Sequence, residues 1–493
     1  MPSVETDAGS ALAARAPSYD PGAFAEQGSE PGSFRDRSAR VFYRDGEVCR
    51  GLGEKAYADW RRLSQSGFFQ RFRREGLVVD TAETEQSVGP DGGSPWAGVL
   101  RHERIPFVSY PYEWSFGMLR DAALLQLDLL LAALEEDFTL KDASPFNVQW
   151  NGSLPVFIDI ASFEPLDAGE AWVAYRQFCQ LFLYPLLLQA YKGVAFHPWL
   201  RGRIDGIAAD ECWRLMSARD LLRRGVLTHV YLHARAQQSL GASDRAMREE
   251  LRGAGFAKAA IQTNATWLRS LVAGLEWLAK QSTWSGYGEE TGYADEDGRA
   301  KARFVEEVAA ELSWRLAWDL GANTGTFSRI VAEHAEYVVA MDADHLAVDR
   351  LYRSAKRDGL TNLLPMVIDL TDPSPNLGWR GLERKSLLER GRPDLTLCLA
   401  LLHHLVIGGN IPLPELVAWL AGLGGDLIVE FVTREDARVR QLLRNKTDQY
   451  SDYDVGVFED CLGRHFDVAR RLPLASGSRI LYHARARRAR HDT

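Results

Sequence analysis

Three aspartates in the second half of the chain each stand at the end of an apolar run: Asp319 in LAWDLG, Asp342 in YVVAMDAD and Asp369 in LLPMVIDL. His403 and His404 end a fourth run, PDLTLCLALLHHL, and Glu430 lies near the end of a fifth, GGDLIVEFV. After Asp319 comes the turn GANTG, in which Gly321 and Gly325 let the backbone approach a ligand closely. Asn323, where a third glycine might stand, is the non-glycine residue that best tolerates a left-handed conformation. Asp342 falls 23 residues after Asp319, a spacing at which an acid ending a second strand accepts hydrogen bonds from ribose hydroxyls. A histidine at the same edge can take a proton from an acceptor hydroxyl, since its ordinary pKa is near neutral; the competing reading is a hydrogen bond to a neighbouring loop.

A second set lies in LKDASPFNVQWNGSLPVFIDIASFEP. Asp142 and Asn147 are five apart, a hairpin around Asn151-Gly152 follows, and Asp159 ends its second strand. Phosphoryl transfer needs such a set: one carboxylate beside the acceptor hydroxyl, and an Asn with a second Asp to hold magnesium on the phosphates. The same residues can instead satisfy the backbone groups of a turn. No Gly-rich phosphate loop precedes them, and Arg50 and Lys55 are the candidates for a phosphate-binding cation.

Elements must bring these groups together. In the second half, regular alternation of apolar runs and amphipathic stretches predicts an α/β fold with a parallel sheet, whose carboxyl edge gathers the strand-end polar groups into one crevice. In the first half, VFYRDGEVCR predicts a hairpin at 41–50 turned by Asp45-Gly46, and 55–76 carries aromatic residues at helical spacing. SFGMLRDAALLQLDLLLAALEEDF is apolar on most of its helical surface, which predicts deep burial. The uncharged run between Arg176 and Lys192 contains Gln177, Gln180, Pro185 and Gln189 and reads as a buried helix pair, not a membrane span. These patterns divide the chain into a flexible leader (1–38), an α+β unit (39–240), a helical linker (241–300), an α/β unit (301–485) and a basic tail (486–493).

DLGANTG, the acid at Asp342, the Asp369 strand and LALLHHL together resemble class I S-adenosylmethionine-dependent methyltransferases, over about residues 285 to 485. FDVARRLPL and SRILYHARA look like the closing antiparallel hairpin that separates this family from plain dinucleotide binders. The resemblance implies a Rossmann-like methyltransferase sheet and an S-adenosylmethionine cofactor. It further implies that Asp319, Gly321, Asn323, Thr324 and Gly325 shape the methionine-side pocket, that Asp342 holds the ribose hydroxyls and that Asp369 sits by the adenine amine. His403 and His404 are the catalytic candidates, although methyl transfer itself demands mainly in-line approach and exclusion of water. Tyr287, Tyr293, Tyr450 and Tyr453 are candidates to lid this pocket or to pack on loops, and Trp379, Pro373 and Pro375 mark an irregular insert.

The spacing of Asp142, Asn147 and Asp159 resembles the catalytic and metal-binding loops of protein kinases and of aminoglycoside or sugar phosphotransferases. That likeness implies a kinase-like or pseudokinase-like first unit, with Asp142 as acid/base, Asn147 and Asp159 as magnesium ligands, and ATP as a second ligand. Leu140-Lys141 and Ile160-Ala161 depart from the usual kinase residues. IPFVSYPYEWSF, LKDASPFNVQW and EAWVAYRQFCQLFL, taken with the C-terminal motifs, resemble the family of host-specific nodulation proteins of rhizobia and their bacterial relatives. Methyltransfer to an oxygen or nitrogen of an unidentified acceptor is the activity this implies, with a small molecule or a saccharide-linked group as candidates and the first unit presenting the acceptor or regulating the site; phosphotransfer, alone or in a bifunctional enzyme, is the alternative.

Composition bounds these readings. With 493 residues, 46% hydrophobic and 25% charged, the chain has material for more than one core. A net charge of -9 argues against a dedicated nucleic-acid binder, and five cysteines without a CxxC pair argue for a reducing, cytoplasmic setting and against a cysteine-rich metal site. The terminal RARRARH reads as a solvated tail.

Overall fold

A computed structural model describes residues 28–85, 96–167, 171–240, 258–278 and 294–487, apart from 445 and 448. The first sheet is antiparallel, with strands β1 (Gly28–Ser29), β2 (Ala39–Arg44), β3 (Glu47–Leu52), β4 (Thr81–Thr84) and β5 (Gly98–His102) in the order β1-β2-β3-β5-β4. Asp45 and Gly46 both take positive φ, as the two-residue hairpin turn between β2 and β3 requires. Residues 28–35 belong to this sheet and to a 3-10 turn packed on it, so the expected leader is shorter than 38 residues. The expected helix at 55–76 is two helices, α1 (Glu54–Leu63) and α2 (Gly67–Arg74), whose Trp60, Leu63, Phe68, Phe69 and Phe72 are buried.

Helix α3 (Phe116–Glu135) is buried along nearly all its length, as its apolar surface demands. After it come β6 (Phe138–Leu140), β7 (Val148–Asn151), β8 (Leu154–Phe157) and β9 (Phe163–Pro165); β6 pairs with β9 and β7 with β8. Residues 175–192 form one helical run, α4 (Tyr175–Phe178) passing through a π-turn into α5 (Tyr184–Lys192), in place of the expected helix pair. Pro185, which has no N–H to donate into the preceding turn, follows directly on the π-turn Cys179–Leu183, where the backbone already departs from the α-helical bonding pattern. Helices α6 (His197–Gly202), α7 (Ala209–Leu215) and α8 (His233–Leu240) complete this part.

Both described parts of the expected linker are packed. Helix α9 (Lys258–Ala273) lies on α3, burying Ile261, Ala265 and Leu268 and pairing Arg269 with Asp128. Helix α10 (Ala294–Ala309) buries Phe304, Val305 and Val308 against the second sheet.

The second half builds β10 (Trp314–Leu320), α11 (Thr326–Ala332), β11 (Ala335–Asp342), α12 (His345–Arg357), β12 (Leu363–Val367), β13 (Leu395–Cys398), α13 (Leu413–Leu423), β14 (Asp426–Val432), α14 (Ala437–Leu443), α15 (Val455–His465), β15 (Phe466–Pro473) and β16 (Arg479–Ala486). Its sheet order is β12-β11-β10-β13-β14-β16-β15, parallel except that β16 runs antiparallel to both neighbours. This is a doubly wound sheet closed by the antiparallel hairpin expected from FDVARRLPL and SRILYHARA.

The central strands are apolar on both faces because both faces are covered. Leu316, Trp318, Leu320, Tyr337, Val339, Met341, Leu364 and Met366 face a core shared with the first half, whereas Ala317, Val338, Ala340 and Leu363 face α10, α11 and their neighbours. Aromatic contacts cross between the halves, Phe107 edge-on to Trp318 and Trp150 edge-on to Tyr352. The Tyr337 hydroxyl donates to the Trp150 carbonyl and accepts from the Gly152 amide, so the tip of the β7-β8 hairpin is seated on the second half. Arg390 meets Glu113 with two hydrogen bonds of 2.7 Å, their side chains 0% and 1% exposed, beside Tyr110 and Phe107. Among the described residues no helix is long and apolar enough to cross a membrane.

Candidate functional site at the carboxyl edge of the second sheet

Strand register decides what meets at this edge. Leu320 pairs with Met341 and with Cys398, Met341 with Met366, and Cys398 with Val429, so five strands reach the edge together. The next row holds Gly321, Asp342 and Glu430, at the point where the strand order reverses between β10 and β13.

Gly321, Asn323 and Gly325 all take positive φ, at 77°, 48° and 81°. The turn thereby presents backbone where side chains would stand: a Cβ on Gly321 would approach Leu401 to 3.2 Å, and one on Gly325 would run into the buried Leu351. Asp342 closes the turn, accepting from the Asn323 and Asp344 amides at 2.8 Å each. Burial raises its pKa, and those amides oppose the shift. A partly exposed carboxylate beside a glycine turn fits a ribose diol, so the residues present fit an S-adenosylmethionine-type ligand.

Asp319 lies deeper. It accepts from Ser328 Oγ at 2.6 Å, and burial pushes its pKa up to about 6. Asp369 is exposed, and its Oδ1 accepts from the Thr371 amide and hydroxyl, turning the chain after β12. Thr324 is exposed in the turn.

After β13 the chain turns at Ala400, whose φ of 50° is unusual for a residue with a Cβ and costs about 1 kcal/mol. Strain thus sits directly before the two histidines. His403 is fully buried, and among the described residues neither of its ring nitrogens has a hydrogen-bond partner. Burial, then His404, Arg479 and Lys301, lower its pKa to about 2. His404 is half-buried, and burial with Arg438 and Arg479 lowers its pKa too. The Glu430 carboxylate is taken up by Lys301 at 2.7 Å and Arg479 at 3.2 Å, and Arg479 also reaches Asp436. Sequence reading had no signal for Lys301 and Arg479, since charge on a helix and on a strand does not reveal a shared buried partner.

Two lid candidates are packing residues. Tyr453 is buried against Phe431 and donates to the Val432 carbonyl; Tyr450 is buried with its hydroxyl on Asn410 and Ile407. Tyr287 and Tyr293 lie outside the described residues. Trp379 is exposed and stacks near Phe34. Arg485 is on β16 and pairs with Glu311, so it is not part of a free tail.

In the first half Asn147 and Asp159 meet at Ser162, and Asp142 lies near enough to Asp159 for their charges to interact. Arg50 holds Asp159 Oδ1 at 2.6 Å, Ser162 holds Oδ2 at 2.5 Å, and Asn147 donates to Ser162. Burial raises the Asp142 pKa and Asp159 adds to it, whereas Arg50 and Ser162 outweigh burial to lower that of Asp159. The carboxylate expected to hold magnesium is therefore neutralised from within the chain, by a residue offered as a phosphate ligand. Lys55 pairs instead with Asp59 on α1. Among the described residues no group of three or more His, Cys, Asp or Glu side chains is arranged to hold a metal ion.

No protein-family model matches the chain. Over 457 residues it is 34% identical to the Nodulation protein NoeA of Rhizobium meliloti (strain 1021), an alignment spanning 92% of this chain and 95% of that one. This chain belongs to the NoeA family of nodulation proteins. The alignment takes in both halves, so the NoeA family shares the first half as well as the second sheet. Similar solved structures are methyltransferases. The N-methyltransferase NodS from Bradyrhizobium japonicum WM9 is 13% identical, covering 39% of this chain and 97% of that one with a TM-score of 0.29. The magnesium protoporphyrin IX methyltransferase ChlM from Synechocystis PCC 6803 with bound SAH is 19% identical, covering 40% and 90% with a TM-score of 0.29.

Proposed function

We propose that the chain is an S-adenosylmethionine-dependent methyltransferase acting on an oxygen or nitrogen of a small-molecule or saccharide-linked acceptor. The observation that carries this reading is the strand register that sets the left-handed turn of Gly321, Asn323 and Gly325 beside Asp342 at the switch point of a sheet closed by an antiparallel hairpin. The cofactor supplies an electrophilic methyl group. Thr324 and the turn would cradle its methionine side, Asp342 would hold the ribose hydroxyls and Asp369 would lie toward the adenine. Asp319 would stabilise the turn and bring negative charge toward the cationic end of the ligand. Of the two histidines, His404 is the better base: His403, depressed to about 2, is too weakly basic to take a proton well at neutral pH. The first half would present the acceptor to that site or regulate it.

We read the first half, an antiparallel sheet followed by a long helix and two small strand pairs, as a unit without phosphotransfer, because both Asp159 oxygens are already bonded. Calorimetric titration tests both readings. Wild type should bind S-adenosylhomocysteine and Asp342→Ala should lose at least about tenfold in affinity, the cost of one charged hydrogen-bonding partner. ATP with magnesium should give no binding heat. Unchanged affinity in Asp342→Ala counts against the cofactor assignment, and magnesium-dependent ATP binding lost in Asp159→Ala would restore the phosphotransferase.

A further inference from the structure

Helix α6, from the first half of the chain, touches the second half at two places at once. At its start, His197 is buried and its ring lies 4.1 Å from that of His345, three residues after Asp342. Its Nε2 donates to the Trp114 carbonyl at 2.8 Å, which leaves Nδ1 as a lone-pair acceptor; among the described residues that buried nitrogen has no partner. One turn further along α6, Arg201 grips Asp372 with two hydrogen bonds, Nη1 to Oδ2 at 2.9 Å and Nη2 to Oδ1 at 3.1 Å. Asp372 follows Asp369 by three residues, and its amide donates to the Asp369 carbonyl. The same short helix therefore meets the start of α12, directly after the β11 loop, and the loop after β12.

We infer that α6 is a working part of the cofactor site, bridging the loop that holds the ribose to the loop beside the adenine and fixing the gap between them. This rests on the cofactor reading above. Arg201 is a positioning residue: it acts through Asp372 on the adenine loop and need not touch ligand. An open carboxyl edge leaves the two loops to move independently, and a ligand must then order both at a cost in affinity. A helix anchored in another part of the chain meets that cost in advance. The adenosine end of the ligand is the part that depends on α6, and the methionine end, held by the glycine turn, does not.

The experiment uses the full chain and titrates S-adenosylhomocysteine and 5′-methylthioadenosine into wild type, Arg201→Ala, Asp372→Ala, and the charge exchange Arg201→Asp with Asp372→Arg. Arg201 is partly exposed and Asp372 exposed, so the unliganded melting temperature should change little. The single variants should each weaken both ligands by about three- to fivefold, and the exchange should recover most of the loss. If wild type binds and the single variants bind as wild type does, the inference fails and the cofactor reading stands. If the single variants weaken binding and the exchange restores nothing, the effect does not run through the pair, and the inference also fails. Absence of binding by wild type overturns the cofactor reading itself.

Discussion

Asp319 shows how burial turns an ordinary acid into a constraint. Its pKa, raised to about 6 by burial against the help of Ser328, means the folded chain holds that proton more tightly than the unfolded chain does. The sign follows: this group favours folding at low pH, and its contribution is lost as pH rises from about 4 through about 6. Asp319→Asn keeps the acceptor for Ser328 and removes the charge, so its stability relative to wild type should climb between pH 5 and pH 8, by about 1.4 kcal/mol, in urea unfolding at the two pH values. A flat difference would mean that the carboxylate is stabilised in the fold by something besides Ser328. Asp319, Asp342 and the glycines were legible because each lies next to a local pattern, an apolar run or a turn. Arg50 was legible only as a stray cation, since its partner Asp159 is 109 positions away and nothing local to either residue records the pairing.

At the level of elements, period and punctuation served well where a segment answers to its own neighbours. Asp45-Gly46 closes its hairpin, α3 is buried on most of its surface, and β10, β11, β13 and β14 form where apolar runs end in polar groups. Local reading stops short where a neighbour far in sequence decides. Tyr450 and Tyr453 leave two readings open, lid or packing on loops, and packing is what they do: Tyr453 stacks on Phe431 of β14, and Tyr450 is buried with its hydroxyl on Asn410 and Ile407. The glycine turn offers a graded test of its geometry. Gly321 and Gly325 share a left-handed φ, so alanine strains both alike; only at Gly325 does the added carbon also meet Leu351, which is packed in the core and has no room to yield. Gly325→Ala should therefore cost about 1 to 3 kcal/mol more than Gly321→Ala in thermal or urea unfolding. Equal losses would mean that Leu351 repacks freely.

Across the whole molecule, the reading of two units joined by a linker describes the strand patterns and misses their union. Alternate residues of the second sheet face the first half, and Trp318, Tyr337, Met341 and Tyr352 share a core with Phe107, Trp114 and Trp150. Period-two apolar runs reveal that both faces are covered but not by what. Glu113 and Arg390, 277 positions apart, join the halves in a fully desolvated pair. Replacing Arg390 by Met should cost about 3 to 5 kcal/mol by stranding the Glu113 charge, and Glu113→Gln added to it should recover part of that loss, read as urea midpoints. An Arg390→Met chain as stable as wild type would show that Glu113 finds water or another cation. The order of strands has a further meaning for a chain made from its amino end. β16 lies between β14 and β15, so both of those strands are synthesised before the one that joins them. A chain on the ribosome keeps two open hydrogen-bonding edges until Ala486 has emerged, and during that interval it is exposed to pairing with its neighbours on the same message.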